Sequence, residues 1–250
     1  MATSDAVGTR AIGVIPARFG ATRFPGKPLA KLWGKPLVQH VWERARATPG
    51  FDQVVVATDD ERIADVARGF GAQVEMTPVD CPSGTDRVAH VAWHHPDAGI
   101  VVNLQGDEPE LDTEAVAQLI RGMREDPHVH LATLAHAEAD PRMLQSEHVV
   151  KVELDGDGWA LYFTRHWPPP EWAGGDVLRH VGVYGFRRPF LIEFASWPPG
   201  RQEQAERLEQ LRAVERGVRI RVYASERPAS GVDTPEQLEA LERRGPRPLG

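Results

Sequence analysis

The chain is predicted to be a single α/β domain, a mostly parallel sheet covered by helices on both faces with an antiparallel extension in its second half. Three observations predict it. Strand-like and helix-like runs alternate from residue 11 to residue 124, and 250 residues with 41% hydrophobic content can bury one large core. After residue 130 the pattern changes to closely spaced strand-like pieces interrupted by prolines.

Taken in order, the apolar run Ala11 to Pro16 reads as a buried strand, Leu37 to Ala47 as a helix and Gln53 to Thr58 as a strand. Ile63 to Phe70 reads as a helix and Gln73 to Met76 as a strand. Val88 to His94 is helical in period and Ile100 to Leu104 is nearly continuous apolar strand. Thr113 to Arg124 is an amphipathic helix with Asp112 placed as its N-cap. Val149 to Leu154, Trp159 to Phe163 and His180 to Phe186 predict the antiparallel strands, with a break at Pro168 to Pro170. Gln202 to Glu215 then predicts one helix, Val218 to Ala224 a strand, and Pro235 to Arg243 a last helix beginning just after Asp233. Residues 245–250, rich in Pro and Gly, read as a frayed tail.

Composition narrows the function classes. A formal charge of -7 argues against a general nucleic-acid binder, which needs a basic face to displace counterions from phosphate. The lone Cys81 excludes an intrachain disulfide framework and reads as a small buried side chain without a catalytic task. No apolar run is long enough to cross a bilayer and Met1 to Arg10 lacks a leader-like apolar stretch, so a soluble cytoplasmic protein is expected. The histidines show no zinc spacing, His94 and His95 being adjacent rather than one helical turn apart.

The segment Val14-Ile-Pro-Ala-Arg-Phe-Gly-Ala-Thr-Arg-Phe-Pro-Gly-Lys-Pro-Leu29 carries the most chemistry. A buried strand runs into a loop holding Arg18, Arg23 and Lys27, and fixed cations at a strand end suit a polyphosphate. Gly20 and Gly26 let backbone N–H groups approach an anion. A solvated basic loop is the competing account. In parallel sheets ligands bind beyond the carboxyl ends of the strands, where this loop and Gln105-Gly-Asp-Glu-Pro109 both fall. Asp107 there is a hard oxygen ligand suited to Mg²⁺, or else a turn former. Asp233 in Gly-Val-Asp-Thr-Pro235 is locally no more than an N-cap signature. Ser83 in Ser-Gly-Thr-Asp-Arg87 can cap a helix, while Gly84 admits a flat ligand.

These motifs, with Val-Ala-Thr-Asp59, Ala-Leu-Tyr-Phe-Thr-Arg165, Leu-Arg-His-Val-Gly-Val-Tyr-Gly185 and Leu-Glu-Gln-Leu-Arg212, occur in one order along residues 11–241. Together they resemble the CMP-Kdo synthetase family, the 3-deoxy-manno-octulosonate cytidylyltransferases. The Arg-Phe-Pro-Gly-Lys27 form of the first loop separates the chain from the related CMP-sialic acid synthetases. The resemblance implies a Rossmann-like nucleotidyltransferase fold of the glycosyltransferase-A type. It implies joining CTP to the anomeric hydroxyl of the acidic sugar Kdo with release of diphosphate, for lipopolysaccharide biosynthesis. Arg18, Arg23 and Lys27 match the triphosphate positions, and Asp107 with Asp233 match the Mg²⁺ carboxylates. Arg18, Lys27, Asp107 and Asp233 are thereby the expected catalytic set. Gln105, Arg165, His180, Tyr184, Glu209 and Gln210 map to the sugar acid, and Ser83 to cytosine. A homodimer is implied, with residues 143–186 the expected contact. The chain departs from the pattern at His148, where the family has Asn, and over Trp167 to Asp176.

Three rivals stay open at this level. A cytidylyltransferase for an amino-Kdo or sialic-acid-like sugar differs only in a few polar contacts. An NAD-binding oxidoreductase shares the βα start, although the first loop lacks Gly-x-Gly-x-x-Gly. A non-catalytic nucleotide-binding protein would share the fold without turnover.

Overall fold

The computed structural model describes residues 9–20, 24–138, 140–166, 177–228 and 231–247. In chain order its elements begin with β1 (Ala11–Ala17), a 3-10 turn (Lys27–Leu29), the short strands β2 (Lys31–Leu32) and β3 (Lys35–Pro36), and α1 (Leu37–Ala47). There follow β4 (Gln53–Thr58), α2 (Glu61–Gly69), β5 (Gln73–Met76), α3 (Gly84–His94), β6 (Ile100–Asn103) and α4 (Thr113–Glu125). The second half contributes β7 (Leu131–His136), α5 (Pro141–Gln145), β8 (Lys151–Leu154), β9 (Ala160–Thr164) and β10 (Leu178–Arg187). It closes with α6 (Arg188–Ser196), α7 (Arg201–Glu206), α8 (Leu211–Val214), β11 (Ile220–Ser225) and α9 (Pro235–Arg244).

The main sheet runs β11-β7-β10-β6-β1-β4-β5. β1 lies parallel to β4 and β6, β4 to β5 and β7 to β11, whereas β10 runs antiparallel between β6 and β7. The hairpin of β8 and β9 continues from the first residues of β10. The mixed, mostly parallel sheet with an antiparallel part is therefore the fold expected from the sequence.

Period-2 alternation sorts the strands between two cores. Ala11, Ile15 and Ala17 of β1 join Val38, Val41, Leu119 and Ile120 on one face. Ile12 and Val14 join Val88, Val91, Phe190 and Phe194 on the other. Burial on both faces explains why β1 reads as continuously apolar.

Several expectations need correction. The helix expected from Val88 begins at Gly84, because Ser83 caps it in a reciprocal box with Asp86. The single helix expected over Gln202 to Glu215 is broken: α7 ends at Arg207, which adopts φ 55°, and the chain resumes as α8. That left-handed residue opens a loop presenting Glu209. β7, α5 and α6 were not anticipated; α6 was hidden because Arg188 and Pro189 interrupt the apolar pattern while occupying its first turn. His180 to Phe186 belongs to a central strand rather than to an extension at the sheet's edge. Residues 167–176, with the proline break and one of the two departures, lie outside the described residues, as do 248–250 of the expected tail.

Candidate active site

The basic loop after β1, the turn after β6, the start of α3 and the segment before α9 line a cavity of about 460 Å³. Arg18, Lys27, Cys81, Ser83, Asp107 and Asp233 are on its wall. The backbone delivers the two acids to one place. Beyond β6 a turn in which Glu108 N–H donates to the Gln105 carbonyl, at 3.1 Å, carries Asp107 into the cleft. The chain-distant acid arrives because Val232 N–H donates to the Asp107 carbonyl at 2.9 Å, and the Val232 side chain is fully buried with Leu32 and Leu37. Asp233 is the next residue. The N-cap of α9 is Thr234 rather than Asp233, its hydroxyl accepting from Gln237 N–H at 3.4 Å. Asp233 thus lines the cleft without serving as the cap.

Lys27 enters from a third direction. Gly26, at φ 72°, turns the chain into the 3-10 turn that Lys27 opens. The Lys27 ammonium donates to Asp107 Oδ2 at 2.5 Å and to Asp233 Oδ1 at 3.4 Å. Both oxygens touch one nitrogen, so they stand within about 6 Å of each other. Two hard carboxylates already gathered around one positive charge fit Mg²⁺, which takes one or two protein carboxylates and completes its shell with water and phosphate oxygens. Among the described residues no group of three or more His, Cys, Asp or Glu could hold a metal, so this pair is the candidate. The neighbouring Glu108 is nearly buried, and desolvation with the adjacent Asp107 charge pushes its carboxyl up to about 8.

A Cβ on Gly106 would stand 2.8 Å from the Pro16 carbonyl oxygen, so only glycine lets the acid-bearing turn press against the end of β1. Gly106→Ala is expected to displace Asp107 and lower kcat by on the order of a hundredfold. Steady-state release of the diphosphate that the resemblance implies checks this; an unchanged kcat would show that the close approach does not position the acid.

A second cluster lies behind Gln105, whose amide donates to the Gly182 carbonyl at 2.9 Å and so ties the first cluster to β10. His180 and Tyr184 face each other with ring centroids 5.4 Å apart. The register of β10 against β7 shifts between Val181 and Tyr184, and the Thr133 hydroxyl donates to the Val183 carbonyl at 2.7 Å within that irregularity. With its one proton committed there, the 2.9 Å contact from Thr133 to His180 requires Nε2–H as the donor. Burial holds His180 down to about 3, with Arg165 adding repulsion. Burial raises the Tyr184 phenol, assisted by the Glu209 charge.

The His180 shift has a stability consequence with a definite sign. The folded pKa lies below the unfolded one, so between about 3 and 6.5 the unfolded chain binds a proton that the folded chain refuses. Stability is expected to fall with decreasing pH through that window, by up to about 1.4 kcal/mol per pH unit from this residue. Urea unfolding between pH 7 and pH 5 should show a shallower decline for His180→Gln than for the parent. Parallel declines would refute the assignment.

Glu209 links the clusters. It accepts hydrogen bonds from Ser83 Oγ at 3.0 Å and from the Thr85 hydroxyl, and burial raises its pKa despite them. Gln210 is 4% exposed, and among the described residues its Nε2 has no hydrogen-bond partner. The Arg165 backbone N–H and Thr164 hydroxyl both donate to the Glu206 carboxylate, at 2.9 and 3.0 Å, while Arg165 Nε donates to the Glu206 carbonyl at 3.1 Å.

The structure therefore places Arg18, Lys27, Ser83, Gln105, Asp107 and Asp233 on one cavity wall. Arg165, His180, Tyr184 and Glu209 form the adjoining cluster, Gln210 follows Glu209 at the start of α8, and none of the five lines that cavity. Arg23 lies outside the described residues. Cys81 corrects the expectation of a buried side chain: it is half-buried on the cavity wall, and desolvation raises its thiol pKa, which argues against a reactive thiolate. His148, the departure within the described residues, is exposed. Sequence reasoning gave no task to Thr85, Arg87, Asp59 or Glu206. The first three were visible as motif members, and the structure pairs two of them: Arg87 Nη2 donates to Asp59 Oδ2 at 2.9 Å, while Arg87 Nη1 donates to the Thr77 hydroxyl. Its charge is thus matched internally although it lines the cavity.

A basic loop and two convergent carboxylates beyond the strand ends of a mostly parallel sheet define a nucleotidyltransferase. A family profile described as cytidylyltransferase matches residues 12–220. The chain is 48% identical over 242 residues to the 3-deoxy-manno-octulosonate cytidylyltransferase of Geobacter sulfurreducens, covering 91% of this chain and 96% of that one. It is 44% identical over 239 residues to the 8-amino-3,8-dideoxy-manno-octulosonate cytidylyltransferase of Shewanella amazonensis, covering 92% and 96%. A solved CMP:2-keto-3-deoxy-manno-octonic acid synthetase complexed with CTP superposes with a TM-score of 0.88 at 42% identity, covering 94% and 98%. The chain belongs to the 3-deoxy-manno-octulosonate cytidylyltransferase family of nucleotidyltransferases.

Proposed function

We propose that this chain transfers the cytidylyl group of CTP to the anomeric hydroxyl of Kdo and releases diphosphate. The observation that carries the mechanism is the convergence of Asp107 and Asp233 on the Lys27 ammonium. The anomeric oxygen attacks the α-phosphorus in line, its bond to phosphorus forms as the bond to the diphosphate oxygen breaks, and the hydroxyl proton leaves to solvent. Little covalent chemistry falls to the protein, whose tasks are to orient two anions and offset charge moving onto the leaving group. Arg18 and Lys27 neutralise the β- and γ-phosphate oxygens, with Arg23 the third cation of that loop. Asp107 and Asp233 would hold Mg²⁺, which supplies Lewis-acid polarisation of the α-phosphate and of the attacking oxygen. Ser83, at the N-terminus of α3, borders the space for the cytosine ring.

On the sugar side, the Arg165 guanidinium offers a planar fork to the carboxylate of Kdo. Neutral His180, Tyr184, Glu209, Gln105 and Gln210 meet its hydroxyls. The orphaned amide of Gln210 supports that role, since a buried donor left unpaired costs about 1–3 kcal/mol until a ligand accepts from it. An 8-amino sugar is the second reading, favoured by the relative that bears such a name. Homodimerisation through residues 143–186 is part of the proposal, and Met143 and Leu161 expose apolar side chains there. Light scattering tests it.

The test of the activity is diphosphate release with Mg²⁺, each of the four nucleoside triphosphates and a panel of acidic sugars. A signal confined to CTP with Kdo is expected. Preference for the 8-amino sugar in direct competition would move the assignment to the second reading, and no release with any pair would leave a nucleotide binder without turnover.

A further inference from the structure

We infer that Lys27 holds the place of the divalent cation between Asp107 and Asp233, and that a triphosphate must draw its ammonium away before the cation binds at full strength. The inference rests on reading those two aspartates as the cation's ligands. Its basis is geometric. The ammonium bonds to both carboxylates at once, at 2.5 and 3.4 Å, and the Lys27 side chain is only 15% exposed. Two carboxylates held within about 6 Å of each other repel, and a positive charge between them removes that repulsion. Lys27 supplies it from within the chain.

The same side chain can leave. Its backbone is anchored, because Gly26 N–H donates to the Phe19 carbonyl at 2.9 Å and Pro28 is buried. The four-carbon stem beyond that anchor is flexible, and the ammonium is a compact charge with three donors that can be redirected. Arg18 lines the same cavity, so phosphate oxygens bound there offer the ammonium a stronger set of negative charges than two shared carboxylates. A ligand that binds only the withdrawn form of Lys27 shifts the population toward it. Nucleotide and cation are then coupled, each favouring the other through the position of one amine, and the coupling is reciprocal. A permanent structural ion pair would make the opposite prediction, since removing the amine would then weaken the site.

Mn²⁺ serves as the probe, with free ion counted by electron paramagnetic resonance in the full chain without nucleotide. Lys27→Met is expected to bind Mn²⁺ about tenfold or more tightly than the parent, because it removes a competing charge. In the absence of metal, with EDTA present, the same variant is expected to bind CTP at least tenfold more weakly. Lys27→Gln provides a second variant of similar length should Lys27→Met fail to fold, and melting curves verify both. Equal or weaker Mn²⁺ binding by the folded variants overturns the inference. Adding Asp107→Asn to Lys27→Met separates the two levels: if the tight Mn²⁺ binding survives that change, the cation sits elsewhere and the reading of the acids fails instead.

Discussion

Replacing Asp107 by Asn is expected to lower kcat at least a hundredfold while leaving the fold intact. Asn keeps the size of the side chain and its place after β6 but loses the negative charge that faces Lys27 at 2.5 Å. Removing one preorganised electrostatic group from a site where charge redistributes typically costs about 10²–10³ in rate. The stability side is different. The Lys27 and Asp107 side chains keep 15% and 28% exposure, and a partly solvated ion pair contributes no more than about 1 kcal/mol. For a chain of this size that corresponds to a melting shift of about 2–4 °C. Diphosphate release and thermal melting measured on one preparation check both halves. Retention of more than a tenth of the parent rate would remove Asp107 from the catalytic set.

Lys151→Met is expected to act the other way, lowering stability by about 3 kcal/mol. Lys151 is fully buried, at 0% exposure, on β8. Its ammonium donates to the Ser146 carbonyl at 3.1 Å, to the Val149 carbonyl at 2.9 Å and to the Arg165 carbonyl. Methionine matches the stem in length, yet it leaves those buried acceptors without a donor, each at a cost of about 1 kcal/mol or more. Because one of them belongs to Arg165, the loss should also raise KM for the sugar more than KM for CTP. Urea unfolding and separate substrate titrations are the measurements. An unfolding midpoint equal to the parent's would mean that the carbonyls find other partners.

The residues of the two predictions differ in how far they could be read. Asp107 was legible because everything that makes it a candidate ligand is local: an apolar strand, a glycine at the bend and an acid just beyond. Lys151 was not, because a lysine within an alternating strand reads as an outward polar residue. Only the approach of the Ser146, Val149 and Arg165 carbonyls reveals a buried charge with partners. Asp233 lies between these cases. Its local signal was that of a cap, and the motif order alone singled it out. The hydrogen bond from Val232 to the Asp107 carbonyl is the physical reason that it reaches the cleft.

The same division runs through the fold. The helices and strands of the first half were set out by period and capping, since apolar spacing and side-chain caps act within a few residues. β10 was found as a strand, but its place between β6 and β7 depends on partners 43 to 87 residues upstream, such as His136 opposite Arg179 and Ile100 opposite Arg187, and that pairing is invisible to a local window. The break at Arg207 is similar. A helical period over Gln202 to Glu215 would have continued through it, and the chain instead spends that segment placing Glu209 against Ser83 and Thr85.

On its own the sequence determined the alternation of strand and helix, the basic loop after β1, the first acid, and a motif order specific enough to name a family. These are properties of neighbouring residues, governed by sterics and polarity along the chain. The tertiary structure alone decided that Lys27 bridges Asp107 and Asp233, that Glu209 joins the two clusters, and that Lys151 is sealed inside. Those outcomes depend on distances between residues far apart in the chain, which are settled when the two apolar cores close around the sheet.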